Sequence, residues 1–262
     1  LGVCASWGDL ASLAGAALAT PRELGMGFPG ATGEVLNLRD LEQLVDQLNR
    51  LPSLQAELQV LPGEVLGASR VQLAGQREKP WRLNANRNND GLPSTGEQQW
   101  GLGFDWDSPL GLADQLVLRG SGDTLSDSQR QSDSQSLIYS LPYGWWTVSY
   151  SYNQNSYRSQ TDAAGFDFKQ HGDSQTQQLR AERVLQRDEV SKTAASIAAG
   201  HIRTRNYLED ALLDVSSSDL SSAQLGFNHG RRIGSAFVNL DLGWQRGTGW
   251  FGAQSNGDPR GA

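Results

Sequence analysis

Two aspartates, Asp105 and Asp107, flank Trp106 and could form a pair of carboxylates for acid–base chemistry. Such a pair catalyses proton transfer when its surroundings push the two pKa values apart. Here both residues stand at the end of an alternating stretch, WGLGFDW, where a strand runs into a turn. We therefore expect Asp105 to face the interior of a sheet structure and Asp107 to begin the turn, and we interpret neither as catalytic.

The other residue types that perform catalysis also lack a suitable setting. Ser140, His201 and Asp210 have no nucleophile motif such as G-x-S-x-G around them. The two arginines of HGRRIG (229–234) fit a solvated turn better than a phosphate site. The sequence therefore predicts a protein that is not an enzyme.

Metal and cofactor sites are not predicted either. The three histidines do not form a ligand spacing such as H-x-x-x-H; they are His171, His201 and His229. Cys4 is the only cysteine, so neither a disulfide framework nor a thiolate metal site is expected. We expect no cofactor.

Composition restricts the class of protein. The net charge of −7 argues against a nucleic-acid partner, because phosphate binding needs a basic face. No stretch contains the ~20 apolar residues that a membrane-spanning helix needs. Thirty glycines and eight tryptophans are compatible with membrane-spanning strands, which are apolar only at every second residue. A secreted β-sandwich has a similar composition, so composition leaves both open.

One strong helix is predicted over Asn37–Leu51, NLRDLEQLVDQLNRL. Asn37 suits its N-cap and Pro52 stops it. The apolar residues that share one face at helical spacing are Leu38, Leu41, Leu44, Val45, Leu48 and Leu51. Short strands are predicted at Glu57–Leu61 and Arg70–Ala74. This helix–strand–strand unit needs an earlier strand and helix, which we expect within residues 1–36 although the signals there are weak.

From Lys79 onward the pattern alternates with period two, as in WGLGFDW (100–106), WTVSYSY (146–152) and AFVNLDLGW (236–244). We predict nine strands, near 81–87, 98–106, 114–122, 134–141, 145–154, 174–186, 190–204, 221–229 and 235–245. Alternation alone fits a soluble β-sandwich equally well.

The links between these strands favour a membrane barrel. Long polar links, such as 155–173, alternate with short turns such as LPYG and RDEV. Long loops at one end and short turns at the other are typical of up-and-down outer-membrane barrels. The polar members of the alternating strands would then line the pore; they are Asp105, Thr147, Ser149, Ser151, Gln224, Asn228, Asn239 and Asp241.

Several ordered motifs make a family resemblance specific. GEVLNLRDLEQLVDQLNRLPS and LQVLPGEVLGASRVQL resemble the second POTRA domain of the two-partner secretion transporters, the TpsB family. KPWRLNANRNNDGLPSTGEQQWGLGFDWDSPLGLADQLVL and YSLPYGWWTVSYSYNQNSYRS resemble strands and turns of that family's barrel. The similarity covers roughly Phe28 to Ala262. It implies a sixteen-stranded pore in the Gram-negative outer membrane, with two POTRA domains in the periplasm.

The resemblance divides the chain into three parts. Residues 1–27 are of uncertain role, residues 28–76 form an incomplete α+β POTRA domain, and residues 77–262 form the N-terminal half of the barrel. We expect a mainly β protein, a partial transmembrane antiparallel barrel with about nine of sixteen strands. The family's V-R-G-[YF] motif does not occur, nine is an odd number of strands, and the opening stretch is not a convincing signal peptide. We therefore expect the chain to be part of a longer protein.

The resemblance also implies partners. The pore would recognise a secreted exoprotein by its N-terminal secretion domain and translocate it, with outer-membrane lipid around the barrel. POTRA domains bind extended clients at a strand edge. The candidate client-binding residues are Asn37, Arg39, Asp40, Glu42, Gln43, Glu57 and Gln59. The alternatives are a related POTRA–barrel insertase, a passive porin, or a soluble β-sandwich lectin.

Overall fold

The computed structural model describes residues 18–30, 37–62, 69–89, 91–92, 94–123, 130–163 and 166–254. Two helices, α1 (Pro21–Gly27) and α2 (Leu38–Asn49), precede a two-stranded sheet of β1 (Leu54–Pro62) and β2 (Ser69–Arg77). A larger sheet follows. Its strands are β3 (Trp81–Asn88), β4 (Gln99–Asp107), β5 (Gln115–Asp123), β6 (Gln131–Tyr143), β7 (Trp146–Ala163), β8 (Phe166–Arg187), β9 (Ser191–Leu208), β10 (Ala211–Leu212), β11 (Ser218–Ile233) and β12 (Ala236–Thr248). The protein is therefore mainly β, as the sequence predicts.

Helix α1 begins at a capping box that our sequence analysis missed. The Thr20 side chain accepts a hydrogen bond from the Glu23 backbone N–H at 3.2 Å, and the Glu23 carboxylate accepts from the Thr20 N–H at 2.7 Å. Pro21 occupies the first helical position, where its missing N–H costs nothing. The helix expected within residues 1–36 is thus present. The described residues of that region contain no strand, and residues 1–17 and 31–36 lie outside the described part.

Helix α2 organises the core of the N-terminal unit. It starts at Leu38, with Asn37 as the N-cap, whose side chain accepts from the N–H two residues on at 3.0 Å. The buried apolar side chains of this core are Leu24, Leu41, Leu44, Leu48, Leu51, Leu54, Ala56 and Leu73. Leu38, the first residue of the helix, is 52% exposed although it is on the same apolar face.

The larger sheet contains the nine predicted long strands, and all neighbours are antiparallel. Their order is β3–β4–β5–β6–β7–β8–β9–β11–β12, and the two-residue β10 pairs with β9. Each long strand therefore lies beside the next one in the chain. This is the up-and-down connectivity that the alternating link lengths predict.

Two predicted long links are mostly strand. Strand β7 continues to Ala163 and β8 begins at Phe166, so the predicted link 155–173 is a hairpin. Strand β9 likewise runs to Leu208 and β11 begins at Ser218. These extensions are mostly polar, with isolated aromatic residues such as Tyr157 and Phe168, so they lack the apolar alternation that identifies a strand in the sequence.

The two faces of this sheet differ. The outer face presents exposed apolar side chains, which include Trp100, Leu102, Trp106, Val148, Tyr150, Leu179, Ile197, Leu225, Leu240, Leu242 and Trp244. The opposite face, which we call the inner face, is polar and contacts α2. Among the described residues, neither helix is long and apolar enough to cross a membrane.

Candidate functional site

The strand register places the eight predicted pore-lining residues on the inner face. Asp105 lies in the same cross-strand row as Ser151, through pairings across β5 and β6. Ser149 lies in the same row as Gln224, through β8 and β9. Residues two apart on one strand share a face. The full set therefore shares it: Asp105, Thr147, Ser149, Ser151, Gln224, Asn228, Asn239 and Asp241.

Hydrogen bonds and an ion pair connect strands across this polar face. Asp105 forms an ion pair with Arg119 at 2.7 Å. Gln178 donates from Nε2 to Oε1 of Gln224 at 3.1 Å. The Asn228 side chain donates to both Asn239, at 3.0 Å, and Asp241, at 2.6 Å. The inner face thus carries hydrogen-bonded amides and paired charges at several places along the sheet.

Helix α2 contacts this face at the end of the sheet where the turns are short. The side-chain Nε2 of Gln47 donates to the carbonyl oxygen of Gly144 at 3.1 Å and lies 3.3 Å from Oγ1 of Thr147. Gln43 also donates to the Gly144 carbonyl, at 3.3 Å. The Gly144 N–H donates to the carbonyl oxygen of Met26, at the end of α1, at 2.7 Å. The β6–β7 turn is therefore held by both helices.

An ionic cluster lies beside this contact and consists of Glu42, Asp46, Arg187 and Lys192. Arg187 pairs with Asp46 through both terminal nitrogens and with Glu42 at 3.2 Å. Lys192 lies 3.1 Å from the Asp46 carboxylate. Burial raises the pKa of Asp46, but the hydrogen bond from Arg187 and the charge of Lys192 outweigh it and hold that pKa below its ordinary value. The cluster therefore keeps the Asp46 carboxylate ionised at neutral pH.

A third contact lies at the end of α2. The guanidinium of Arg50 donates to the carbonyl oxygen of Ala113 at 2.6 Å and to Oγ of Ser140. Asp107, the last residue of β4, is buried and accepts from the Ser53 N–H at 2.9 Å. Arg82 pairs with the same carboxylate at 2.8 Å. Asp107 thus joins the sheet to the N-terminal unit. Its carboxylate has a structural role, because it accepts the Ser53 N–H and pairs with Arg82.

Together these contacts form what we call the α2 junction, made by the polar side of α2 and the turn end of strands β4–β9. A cleft of about 390 Å³ lies between the helix and the sheet. The inner-face residues that line it include Thr147, Ser149, Arg180 and Glu182. The predicted pore-lining surface therefore begins directly at the helix.

The predicted client-binding residues are divided between the α2 junction and other surfaces. Asn37, Arg39 and Asp40 lie at the start of α2, where Arg39 pairs with Glu42 at 2.8 Å. Glu42 also contacts Arg187, and Gln43 is buried against Gly144. Glu57 and Gln59 are exposed on β1, opposite Ala74 and Gln72 of β2.

The comparison with protein families decides which family this architecture represents. The model of the haemolysin secretion/activation protein ShlB/FhaC/HecB family matches residues 67–261. A POTRA domain model matches residues 10–62, which include both helices and β1. The chain belongs to the ShlB/FhaC/HecB family.

Individual relatives agree with this assignment. The chain is 35% identical over 239 residues to the outer membrane transporter CdiB of Dickeya dadantii, covering 91% of this chain and 43% of that protein. It is 34% identical over 226 residues to the hemolysin transporter protein ShlB of Serratia marcescens, covering 86% and 41%. The solved structure of CdiB from Escherichia coli superposes with a TM-score of 0.86 at 35% identity, covering 99% of this chain and 47% of that one. The chain thus spans about two-fifths of the length of these curated relatives.

The sheet side of the α2 junction was not predicted from the sequence. Gln47 follows Gln43, and Asp46 follows Glu42, each by one helical turn on the side opposite the leucines. This double polar repeat indicates that the polar side of α2 packs against another part of the chain. The partner itself could not be found from spacing, because Arg187 is 141 residues from Asp46.

Proposed function

We propose that the protein containing this chain is a pore in the Gram-negative outer membrane that translocates a partner exoprotein to the cell surface. The observation that supports this best is the continuous antiparallel sheet with an apolar outer face, a polar inner face and a POTRA unit attached at one end. Relatives with this sequence pattern are named outer membrane transporter and hemolysin transporter. The protein acts by conducting a polypeptide and not by catalysis.

The position of α2 supports one orientation in the membrane. The short turns of the sheet lie at the α2 junction, and the extended β7–β8 hairpin lies at the other end. Outer-membrane barrels have short periplasmic turns and long external loops. The POTRA unit is therefore periplasmic, and the hairpin projects outward.

The inner face suits the passage of an extended chain, which must bind only weakly on its way through. Its amides and hydroxyls, such as Ser149, Ser151 and Gln224, can exchange hydrogen bonds with water and with a passing backbone. Passage requires binding that is weak enough to release the client. We therefore retain the eight inner-face residues as pore-lining.

Client recognition falls to the POTRA unit. Glu57 and Gln59 on β1 are exposed, as is Asn37 at the start of α2, so these three are the most accessible members of the predicted client-binding set. Glu42 and Gln43 already bond to the sheet side of the α2 junction. A client that used them would first have to displace the helix, which would couple recognition to opening of the cleft beneath α2.

The test is a secretion assay with the full-length protein and the exoprotein encoded beside it. Cells with both should release the exoprotein into the medium, and cells without the transporter should retain it in the periplasm. Release that is independent of the transporter would contradict the proposal. A loss of other outer-membrane proteins in the deletion strain would instead favour the barrel-insertase alternative.

A further inference from the structure

Two polar groups on the sheet side of α2, one of them at its C-cap, are buried without a partner. Gln43 is 2% exposed and its Nε2 donates to the Gly144 carbonyl, but within the described part of the chain its Oε1 has no hydrogen-bond partner. Arg50 donates from its two terminal nitrogens to Ala113 and Ser140, while its buried Nε has no partner among the described residues. Buried polar groups in folded proteins are nearly always hydrogen-bonded, because an unpaired one loses its bonds to water without replacement. These two atoms therefore indicate that this side of the helix binds something further.

The spacing of these two groups suits an extended polypeptide. Gln43 and Arg50 both line the cleft beneath α2, and two helical turns separate them, so they lie on one side of the helix. With a rise of about 1.5 Å per residue, this separation is about 10 Å along the helix axis. An extended chain rises about 3.3 Å per residue, so about three of its residues cover the same distance. A peptide backbone offers an N–H to the free acceptor and a carbonyl to the free donor.

The charged groups that line the cleft are balanced locally. The pairs across it are Asp46–Lys192, at 3.1 Å, and Arg180–Glu182, at 2.8 Å. The charge of Arg50 is attracted by the nearby carboxylates of Asp107 and Asp114. The cleft therefore selects neither anions nor cations by charge. Its free acceptor and free donor instead match the uncharged N–H and carbonyl groups of a peptide backbone.

The cleft opens onto the inner face of the sheet. Thr147 and Ser149 belong to its sheet wall, and Ser151 and Asn153 continue the same face of β7 away from the helix. A chain held in the cleft would therefore lie in line with the predicted pore lining. Because the two free atoms are buried, admission of the chain must widen the cleft.

We propose that the cleft beneath α2 binds an extended segment of the partner exoprotein as it enters the pore. A backbone N–H of the segment donates to Oε1 of Gln43, and a backbone carbonyl about three residues away accepts from Nε of Arg50. The Nε2 of Gln43 keeps its bond to Gly144. Recognition of the backbone tolerates many side chains, which suits a site that successive segments of one polypeptide must pass. This inference rests on the proposed function and adds the point of entry.

The test is photo-crosslinking in cells that contain the full-length protein and the exoprotein encoded beside it, stalled during export. A photoreactive residue replaces Arg180, which is exposed and lines the cleft from the sheet. The otherwise wild-type protein should form an adduct with the exoprotein. Gln43→Met keeps the length of the side chain and removes its polar atoms. It should lower the adduct yield by about fivefold, the factor that the net contribution of one hydrogen bond gives.

Gln47→Met is the matched control. Gln47 donates to the same Gly144 carbonyl and also contacts Trp146 and Thr147, so it has more contacts with the sheet than Gln43. If Gln43 acted only by holding α2 in place, Gln47→Met would lower the adduct yield at least as much as Gln43→Met. We expect the loss in Gln47→Met to be clearly smaller.

Heat-dependent migration in SDS verifies that each variant has folded. If Gln43→Met has not, Arg50→Lys replaces it, because this change keeps the charge and removes the free Nε–H. An unchanged yield in the folded variant, or an equal loss in Gln47→Met, would overturn the inference. So would an adduct with the transporter alone, or no adduct at position 180 while export proceeds, and these results would leave the proposed function intact. Release of the exoprotein without the transporter would overturn the proposed function and this inference with it.

Discussion

Gln47 of helix α2 donates a hydrogen bond to the carbonyl oxygen of Gly144 at 3.1 Å, across 97 residues of sequence. Gly144 lies in the β6–β7 turn with φ +55°, a left-handed conformation that glycine adopts without strain. A Cβ at this position would lie 3.0 Å from Cα of Pro29. One glycine therefore permits both the turn and the close approach of the POTRA unit.

Replacing that glycine should loosen the α2 junction. Gly144→Ala places a side chain at positive φ and against Pro29, at a cost of about 1–2 kcal/mol. Hydrogen–deuterium exchange of α2 should become faster in the full-length protein. Gly234→Ala is the matched control, since Gly234 also has positive φ (61°) but has open space around it. Equal changes in α2 exchange for both variants would show that backbone strain alone is responsible.

The ionic cluster should make the position of α2 sensitive to salt. Asp46→Asn removes the carboxylate that contacts Arg187 and Lys192, and exposed pairs of this kind contribute about 1 kcal/mol or less. Spin labels on α2 and on the β8–β9 turn should report a wider distance distribution for the variant at low salt. Wild type should approach that distribution at 1 M salt. Asp105→Asn, which removes the Arg119 pair away from α2, should leave the distribution unchanged.

The same carboxylate predicts a pH dependence. Because the pKa of Asp46 is lowered in the folded state, its stabilising effect is complete above the ordinary aspartate pKa of about 3.9 and is lost as pH falls through the lower folded value. The distance distribution should therefore be constant from neutral pH to about pH 5 and broaden below pH 4. In the Asp46→Asn variant, the distance distribution should not change further between neutral pH and pH 4. A transition near pH 6–7 would mean that another group controls the helix.

The two faces of the sheet should differ in their tolerance of charge. Leu240→Arg and Val148→Arg place a cation on the exposed apolar face and should impair insertion by roughly 2–4 kcal/mol near the bilayer midplane. Asn239→Arg and Ser149→Arg lie one residue away on the inner face and should be tolerated, changing only conductance. Folding yield into lipid vesicles, read from heat-dependent migration in SDS, measures both pairs. Similar losses in both pairs would mean that the faces are wrongly assigned.

The strands and helix α2 could be predicted where apolar residues keep a regular period. The alternation of AFVNLDLGW located β12, and the leucine spacing of α2 located its buried face. The outer parts of β7 and β8 could not be found this way, because residues 155–160 and 167–173 are mostly polar and show no apolar alternation. Their strand structure depends on pairing with each other and, for β8, with β9.

Two other features were missed for different reasons. Helix α1 has a visible signal, the T-P-x-E capping box, in a stretch with too few apolar residues to show a period. The α2 junction has one visible signal, the polar repeat on α2, but its partners could not be predicted, since Gln47, Asp46 and Arg50 bond to residues far along the chain. Only the assembled sheet brings Gly144, Arg187 and Ala113 to one end.

The most direct test of the translocation pore is site-specific photo-crosslinking in cells that are secreting the partner exoprotein. A photoreactive residue at Ser149, on the inner face, should form an adduct with an exoprotein stalled during export. The same residue at the adjacent Val148, on the outer face, should form none. An adduct at Ser149 that depends on export would place the moving polypeptide against the polar face. Adducts of equal yield at both positions, or no adduct at Ser149 while export proceeds, would contradict the assignment of this face as the pathway.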